Sequence, residues 1–351
     1  MIHRFLSQKT FKSPAPKARG TLNVFFEKPN VSLMKKQGFL GMDMHFHTEC
    51  SPDSIAGPQA TLKFAKKIGI GFAVTDHNAI GGSLSMVKNR FNVPVIPGIE
   101  LTGKEGTHML YFFYSARELE RAFNKEIKPY LKNPFVADKP VVDLLHSLSK
   151  YHCVVSAPHP YSPGVVGIKK LNPPEKLIRQ IDAVEAINGY NLRSLNMKGI
   201  SWMKRTNRGA TGGSDGHMVE ELGTILAFAH ASTAEEFLDE LQKRRTTVMG
   251  VEDSTLRKAV ITLIKEQEMV SKSHEFHQAR KLLHSQLSTS SAYYEKKFAR
   301  FKSRLHHMFS SHHNHAGHLG VQSKDQSKDQ SKGQSKEHML GGSWTRSNQL
   351  K

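Results

Sequence analysis

Between residues 41 and 250, short apolar runs alternate with longer stretches of helical periodicity, and this alternation limits the folds open to the chain. Candidate strands cover 41–46, 71–75, 93–97, 107–113, 153–157, 183–187, 209–213, 224–228 and 246–250. Candidate helices cover 58–68, 80–91, 140–151, 174–181, 192–205 and 233–244. A further short strand-like piece lies at 22–26. Strands alternating with helices predict parallel βα units in an α/β fold. So many units over roughly 200 residues suit a closed barrel better than an open sheet. No glycine-rich dinucleotide fingerprint follows the first strand, which argues against a Rossmann fold.

Charge divides the chain in the same places. Residues 1–40 carry a net +7, residues 41–250 a net +4 and residues 251–351 a net +8, out of +19 in all. The middle is near neutral and the ends are basic, which favours anionic partners such as nucleic acid or an anionic surface. Apolar residues make up 38% of the chain, below the usual globular share, so some segments are expected not to pack. The expected division is a basic, partly disordered segment at 1–38, a barrel at 39–250, a basic helical extension at 251–310 and a disordered low-complexity tail at 311–351. The tail holds the repeat SKDQSKDQSKGQSK at 323–336 and a His-rich stretch that includes His312, His313, His315 and His318. Only Cys50 and Cys153 are cysteines, so no disulfide framework is implied. No apolar run has the length of a signal peptide or a membrane span, and a cytoplasmic protein is expected.

The first strand reads Asp43-Met44-His45-Phe46-His47. Alternate side chains share a strand face, so Asp43, His45 and His47 face one way and Met44 and Phe46 the other. Two imidazoles at that spacing can grip one ion, or can serve as a hydrogen-bonded core pair. The phase of the remaining polar groups separates these readings. Asp53 follows the first strand within one turn, and Asp76 and His77 end the second. Glu100 ends the third, His108 lies in the fourth, His159 ends the fifth, and Asp215 and His217 end the seventh. Barrel enzymes place their chemistry at the C-terminal ends of strands, where the loops converge. Imidazole plus carboxylate without thiolate suits Zn, Mn or Fe. The candidates outnumber the ligands of one tetrahedral ion, so two to three divalent metal ions are expected. Such a cluster suggests hydrolysis by a metal-bound hydroxide, with the ions also neutralising phosphate oxygens. No convincing Cys/His pair offers a separate nucleophile.

At these residues the chain resembles the PHP (polymerase and histidinol phosphatase) family of metal-dependent phosphoesterases. The resemblance rests on DMHFHTECSPD at 43–53, AVTDHN at 73–78, PGIE at 97–100, His108, APHP at 157–160 and GGSDGH at 212–217, and covers about 40–230. It implies a distorted seven-stranded, TIM-like (β/α) barrel with up to three metals at the strand C-termini. By that resemblance His45, His47, Glu100 and Asp215 hold one metal. Glu100 bridges to a second held by His108 and His159, and Asp53, His77 and His217 hold a third. Glu100, His159 and Asp215 are the implied catalytic residues, and Asp43 and Asp76 match acids that orient imidazoles. Some relatives carry His where Asp53 stands, and a carboxylate there suits a harder ion.

Only 50 residues separate His108 from His159, which leaves no room for a large inserted lid. Lys104, Tyr161, Asn188 and Arg193 are the candidate phosphate contacts, although Arg193 reads equally well as a solvated helix residue. The expected function is phosphoesterase activity on a small phosphorylated metabolite or nucleotide. The alternatives are an exonuclease-like phosphodiesterase on DNA or RNA ends, drawn by the basic flanks, and a catalytically silent metal-binding regulatory module.

Overall fold

The structure is a computed structural model and describes residues 23–272 except Arg90, Gly164 and Val165. The expected low-complexity tail, the His-rich stretch and most of the N-terminal segment lie outside the described residues. The first elements are β1 (Asn23–Phe25), α1 (Val31–Lys36), β2 (Leu40–Phe46), α2 (Pro58–Ile68), β3 (Gly71–Val74) and α3 (Gly81–Met86). The middle of the chain forms β4 (Val95–Thr102), β5 (His108–Phe113), α4 (Ala116–Ala122), α5 (Val141–Leu148), β6 (Cys153–Ala157) and α6 (Glu175–Ile178). The last part forms β7 (Ala183–Asn188), α7 (Arg193–Thr206), β8 (Gly209–Gly213), β9 (Ile225–Ala229), α8 (Ala234–Gln242), β10 (Thr247–Gly250) and α9 (Thr255–Lys272).

Local chemistry sets these boundaries. Helix α2 starts on Pro58, whose fixed φ and missing N–H suit a first turn, and stops at Gly69 with φ 75°, where a left-handed residue closes the helix. Helix α8 starts at Thr233, which accepts from the Glu236 backbone N–H, with Glu235 and Glu236 facing the positive helix end. The candidate helix over 80–91 is shorter than expected because Asn89 ends it. Its Oδ1 accepts from Phe91 N and Val93 N while Nδ2 donates to Met86 O. Helix α4 has no counterpart among the candidate helices; it runs on into a π-turn at Phe123–Ile127.

The sheet holds ten strands among the described residues, in the order β1-β10-β9-β2-β3-β4-β5-β6-β7-β8, so the count of seven is not confirmed. Strands β2, β3 and β4 run parallel, as do β6, β7 and β8. Strand β5 is antiparallel to both β4 and β6, which departs from the expected all-parallel units. Only residues 103–107 join β4 to β5, and a parallel crossover needs a dozen or more. Strand β9 is antiparallel to β2 and to β10, and β1 adds parallel to β10.

The sheet curls until the end of β8 comes up against β2. The first half of β2 pairs with β9, and its last half reaches the end of β8 through a Phe46–Gly216 bridge. Asp215 N donates to His45 O at 2.8 Å and His47 N to Gly216 O at 2.9 Å. Glycine is required at 213, because a Cβ there would overlap the Cβ and backbone nitrogen of His45. Strands β4 and β5 are buried on both faces, through Ile99, Leu101, Met109, Leu110, Tyr111, Phe112 and Phe113, which explains the unbroken apolar run Met109–Phe113 of β5. A second cluster packs Phe46, Phe72, Leu226 and Phe228 with Leu62 and Ala65 of α2. No helix among the described residues is long and apolar enough to cross a membrane.

Candidate metal centre

Strand β2 delivers the first ligands as its period of two requires: Asp43, His45 and His47 are all fully buried at the end where β8 closes the sheet. The other candidates arrive at the same mouth. Glu100 lies inside β4, His108 begins β5, His159 follows β6, and Asp215 and His217 follow β8, while Asp53 and His77 sit in the loops after β2 and β3. Two of them hold the backbone in the left-handed region without being glycine, Asp215 at φ 54° and His159 at φ 26°. Such strained residues persist where the surroundings over-determine them, and they gather at functional sites.

Glu100 is the hub. Its Oε2 lies 3.2 Å from His45 Nε2, 3.4 Å from His47 Nε2 and 3.2 Å from His77 Nδ1. Its Oε1 lies 3.0 Å from His108 Nδ1 and 3.2 Å from His159 Nε2. Asp215 Oδ1 stands 3.4 Å from His45 Nε2 and 3.2 Å from His47 Nε2. Asp53 Oδ2 stands 2.9 Å from His217 Nε2 and 3.6 Å from His77 Nε2. The nine expected ligands thus come together in four overlapping groups, each with donor atoms within 4.8 Å of one another. The groups are His47/Asp53/His77/His217, His45/Glu100/His159, His45/His47/Asp215 and His77/Glu100/His108. This grouping differs from the three expected sets: His108 and His159 fall in separate groups, and His47 belongs to two.

The residues present fit divalent ions. His47 Nε2, His77 Nδ1 and His217 Nε2 are buried and make no hydrogen bond, although carboxylate oxygens lie 2.9–3.4 Å away. Lone pairs and carboxylates facing one another without hydrogen-bond geometry are the arrangement a cation needs. The electrostatics agree. Burial opposes ionisation of Glu100, Asp53 and Asp215, yet the surrounding imidazoles hold all three well below the usual carboxylate range. Burial lowers His77 to about 4, and burial together with His217 lowers His47. Near neutral pH the acids are therefore charged and these two imidazoles keep their lone pairs free. His45 goes the other way: burial disfavours its charge, but Asp215, Glu100 and Glu185 outweigh burial and raise it.

The residues behind the ligands differ from expectation. Asp43 and Asp76 do not orient imidazoles; they hold backbone. Asp43 accepts from His45 N, Ser214 N, Ser214 Oγ and Gly223 N, tying β2 to the end of β8. Asp76 accepts from Thr48 N at 2.6 Å and Thr48 Oγ at 2.9 Å. Burial raises both acids to about 7. The imidazole-orienting acid is Glu185 of β7. Its Oε1 lies 3.1 Å from His45 Nδ1, and its Oε2 accepts from His159 N at 2.7 Å and Asn188 Nδ2 at 2.9 Å. Its only signal in the sequence is one acid within the apolar run Ala183–Asn188. Glu221 similarly accepts from His217 N and Met218 N.

The four candidate phosphate contacts are spread out. Asn188 is buried and also donates to Asp215 Oδ2 at 3.1 Å, so it steadies a candidate ligand. Lys104 is paired with Asp138 at 3.0 Å. Arg193 is paired with Glu252 at 2.6 Å and lies over the Phe26 ring at 3.8 Å. Tyr161 packs, partly buried, against the main core. A cation that sequence reasoning missed does reach the mouth: Lys265 of α9, 3.5 Å from Asp53 Oδ2.

No curated protein matches this sequence. Among solved structures, the chain is similar to a two-domain protein from Bacteroides vulgatus containing a predicted PHP-like metal-dependent phosphoesterase, at 15% identity over 66% of this chain and 70% of that one, with a TM-score of 0.46. It is similar to PsfC from Pseudomonas syringae at 16% identity over 67% of this chain and 99% of that one, with a TM-score of 0.47. It is also similar to the lesion-specific endonuclease PfuEndoQ from Pyrococcus furiosus at 15% identity over 67% of this chain and 71% of that one, with a TM-score of 0.48. Residues 193–246, from the start of α7 to the residue before β10, match the PHP_C (PHP-associated) family model. That segment contains the GGSDGH block at 212–217, whose Asp215 and His217 meet the other candidate ligands at the mouth, and over it the chain is similar to the PHP-associated family.

Proposed function

We propose that this chain is a metal-dependent phosphoesterase that works at two or three divalent ions. The observation that carries the reading is the convergence of nine imidazole and carboxylate side chains into overlapping groups at one mouth. All nine ligands that the resemblance implies lie in these groups, which supports an active enzyme over a catalytically silent binding module. Divalent ions held there would neutralise phosphate oxygens and make water acidic enough to supply a nucleophile near neutral pH. Glu100, within reach of five imidazoles, would be shared between ions, with His159 and Asp215 beside it. Glu185 locks the His45 ring so that Nε2 faces Glu100, and Asn188 Nδ2 donates to Asp215 Oδ2 and steadies that carboxylate.

The substrate we favour is a small phosphorylated metabolite or nucleotide. One observation favours a second reading, a phosphodiesterase acting on nucleic acid ends: the basic flanks, +7 over residues 1–40 and +8 over 251–351. Salt separates the two, because contacts to a polyanion weaken steeply with ionic strength and hydrolysis of a small ester does not.

The test is metal analysis of the purified protein followed by hydrolysis of an aryl phosphate, phosphorylated metabolites and short oligonucleotides. Glu100→Ala should remove more than one ion and cut turnover by roughly a thousandfold or more, since it strips a ligand shared by several groups. Near wild-type activity in that variant would end the proposal.

A further inference from the structure

Helix α9 brings a cation to the mouth from a part of the chain that no family motif covers. The helix is fixed to the turn after β7. Asp253 N donates to Gly189 O at 3.0 Å, and Lys258 Nζ donates to Asn191 O at 2.6 Å. The Tyr190 hydroxyl donates to Lys258 O at 2.8 Å and also meets Thr262 Oγ. Ile261 is buried beneath it. Lys258, Thr262 and Lys265 recur at spacings of four and three, so they share one helix face. The two nearer the helix start seat the helix, and the third reaches over the mouth.

Lys265 Nζ lies 3.5 Å from Asp53 Oδ2 and 5.0 Å from the centre of the Tyr190 ring. Its side chain is 18% exposed, unusual cover for a lysine. An ammonium carries three donors, and among the described residues none of them is taken up by a hydrogen bond. Asp53 itself is shared with His217 and His77, two of the candidate metal ligands. With ions taking the charge of Asp53, the ammonium remains as a spare positive group facing the space where a substrate's anion must sit.

We propose that Lys265 is a phosphate-positioning residue and that this mouth is built for phosphomonoesters rather than diesters. This rests on the phosphoesterase reading and narrows it. A monoester phosphate carries close to two negative charges near neutral pH and a diester one, so a cation beyond the ions distinguishes them. Helix α9 thus reaches from the β7–α7 turn to Asp53 beyond β2.

The experiment compares the full-length wild type with Lys265→Met and Lys265→Arg, each loaded with Mn or Zn. Calorimetry measures binding of inorganic phosphate, metal analysis counts ions, and steady-state kinetics uses an aryl phosphate monoester and a bis-aryl diester. Lys265→Met should weaken phosphate binding about tenfold or more, as expected for a lost charge-assisted hydrogen bond. It should raise the monoester KM by a similar factor with a smaller change in kcat, and leave the diester KM and the metal count unchanged. Lys265→Arg should recover most of the loss. Unchanged phosphate affinity overturns the proposal, as does an equal loss on both esters. A fallen metal count overturns it too, because it would show that Lys265 only holds Asp53. If the wild type hydrolyses neither ester, the phosphoesterase reading fails, and phosphate calorimetry still judges Lys265. Should Lys265→Met prove unstable, Lys265→Gln keeps a polar end on a shorter stem and is read the same way.

Discussion

The two sides of the mouth are built to different standards of rigidity. On the β2–β8 side, His45, His47 and His217 are almost wholly buried, and two backbone hydrogen bonds lock the ligand-bearing segments to each other. Asp43 adds three more bonds across the same seam, and Lys265 of α9 reaches Asp53 beside it. His77 and His108, which that seam does not tie, keep 15% and 13% of their side-chain surface exposed, as Asp215 of the seam keeps 13%. They come from a loop and from the first residue of a hairpin strand. The contrast separates two tasks. The locked side fixes the geometry on which metal affinity depends, and the open side leaves a route for substrate.

The strongest way to break this comparison is to pry the seam apart. Gly213→Ala forces a Cβ into His45, in a place with no flexible side-chain end to give way. It should destabilise the protein by about 3 kcal/mol or more and lower its metal content, read by thermal unfolding and metal analysis. A variant that melts like the wild type would mean that close approach is not what locks β8 to β2. A milder cut is Glu185→Gln, which removes the charge that His45 Nδ1 faces but keeps the shape. Metal affinity should fall roughly 10- to 100-fold while the fold survives. Unchanged affinity would move the orienting role elsewhere.

On the open side the expected effect is smaller and of another kind. His108→Ala removes one ligand of the His77/Glu100/His108 group from a partly exposed position. It should weaken one ion and slow turnover, with stability changed by no more than about 0.5 kcal/mol in the metal-free protein. A loss of stability matching that of Gly213→Ala would erase the distinction between the two sides.

The same contrast governs what could be read from the sequence. The strands and the gathering of polar groups at their C-terminal ends were legible because period and phase are local. The alternation puts Asp43, His45 and His47 on one face; the structure brings His45 and His47 into one candidate group, while Asp43 bonds to Ser214 and Gly223 instead. The antiparallel β4–β5 hairpin was also legible in principle, since residues 103–107 are too few for a crossover. Glu185 was not, because an acid inside AVEAIN declares nothing until His45, 140 residues earlier, is known to lie beside it. Asp43 and Asp76 were read as behind the ligands but given the wrong partners, because carboxylate–backbone bonds depend on how distant segments close. Lys265 belongs with Glu185: a helical face of Lys258, Thr262 and Lys265 is visible in the sequence, but not what it covers.

The smallest effect contrasts the mouth with the opposite end of the strands, through the two thiols. Cys50 is exposed in the loop after β2. Cys153 begins β6, pairs with Phe113 of β5 and lies near the Leu148 carbonyl. Burial, with Asp182 and Glu118 nearby, pushes its thiol up to about 12. The thiolate is the reactive form, so at pH 8 only about one Cys153 in ten thousand is poised to react. Iodoacetamide should therefore label Cys50 first and leave Cys153 unmodified until the protein is denatured, as followed by intact-mass and peptide analysis. Comparable rates would show that the start of β6 opens readily in the native protein. The rigidity assigned here to one side of the mouth would then have to be a local property of the β2–β8 seam, with no support from the far end of the strands.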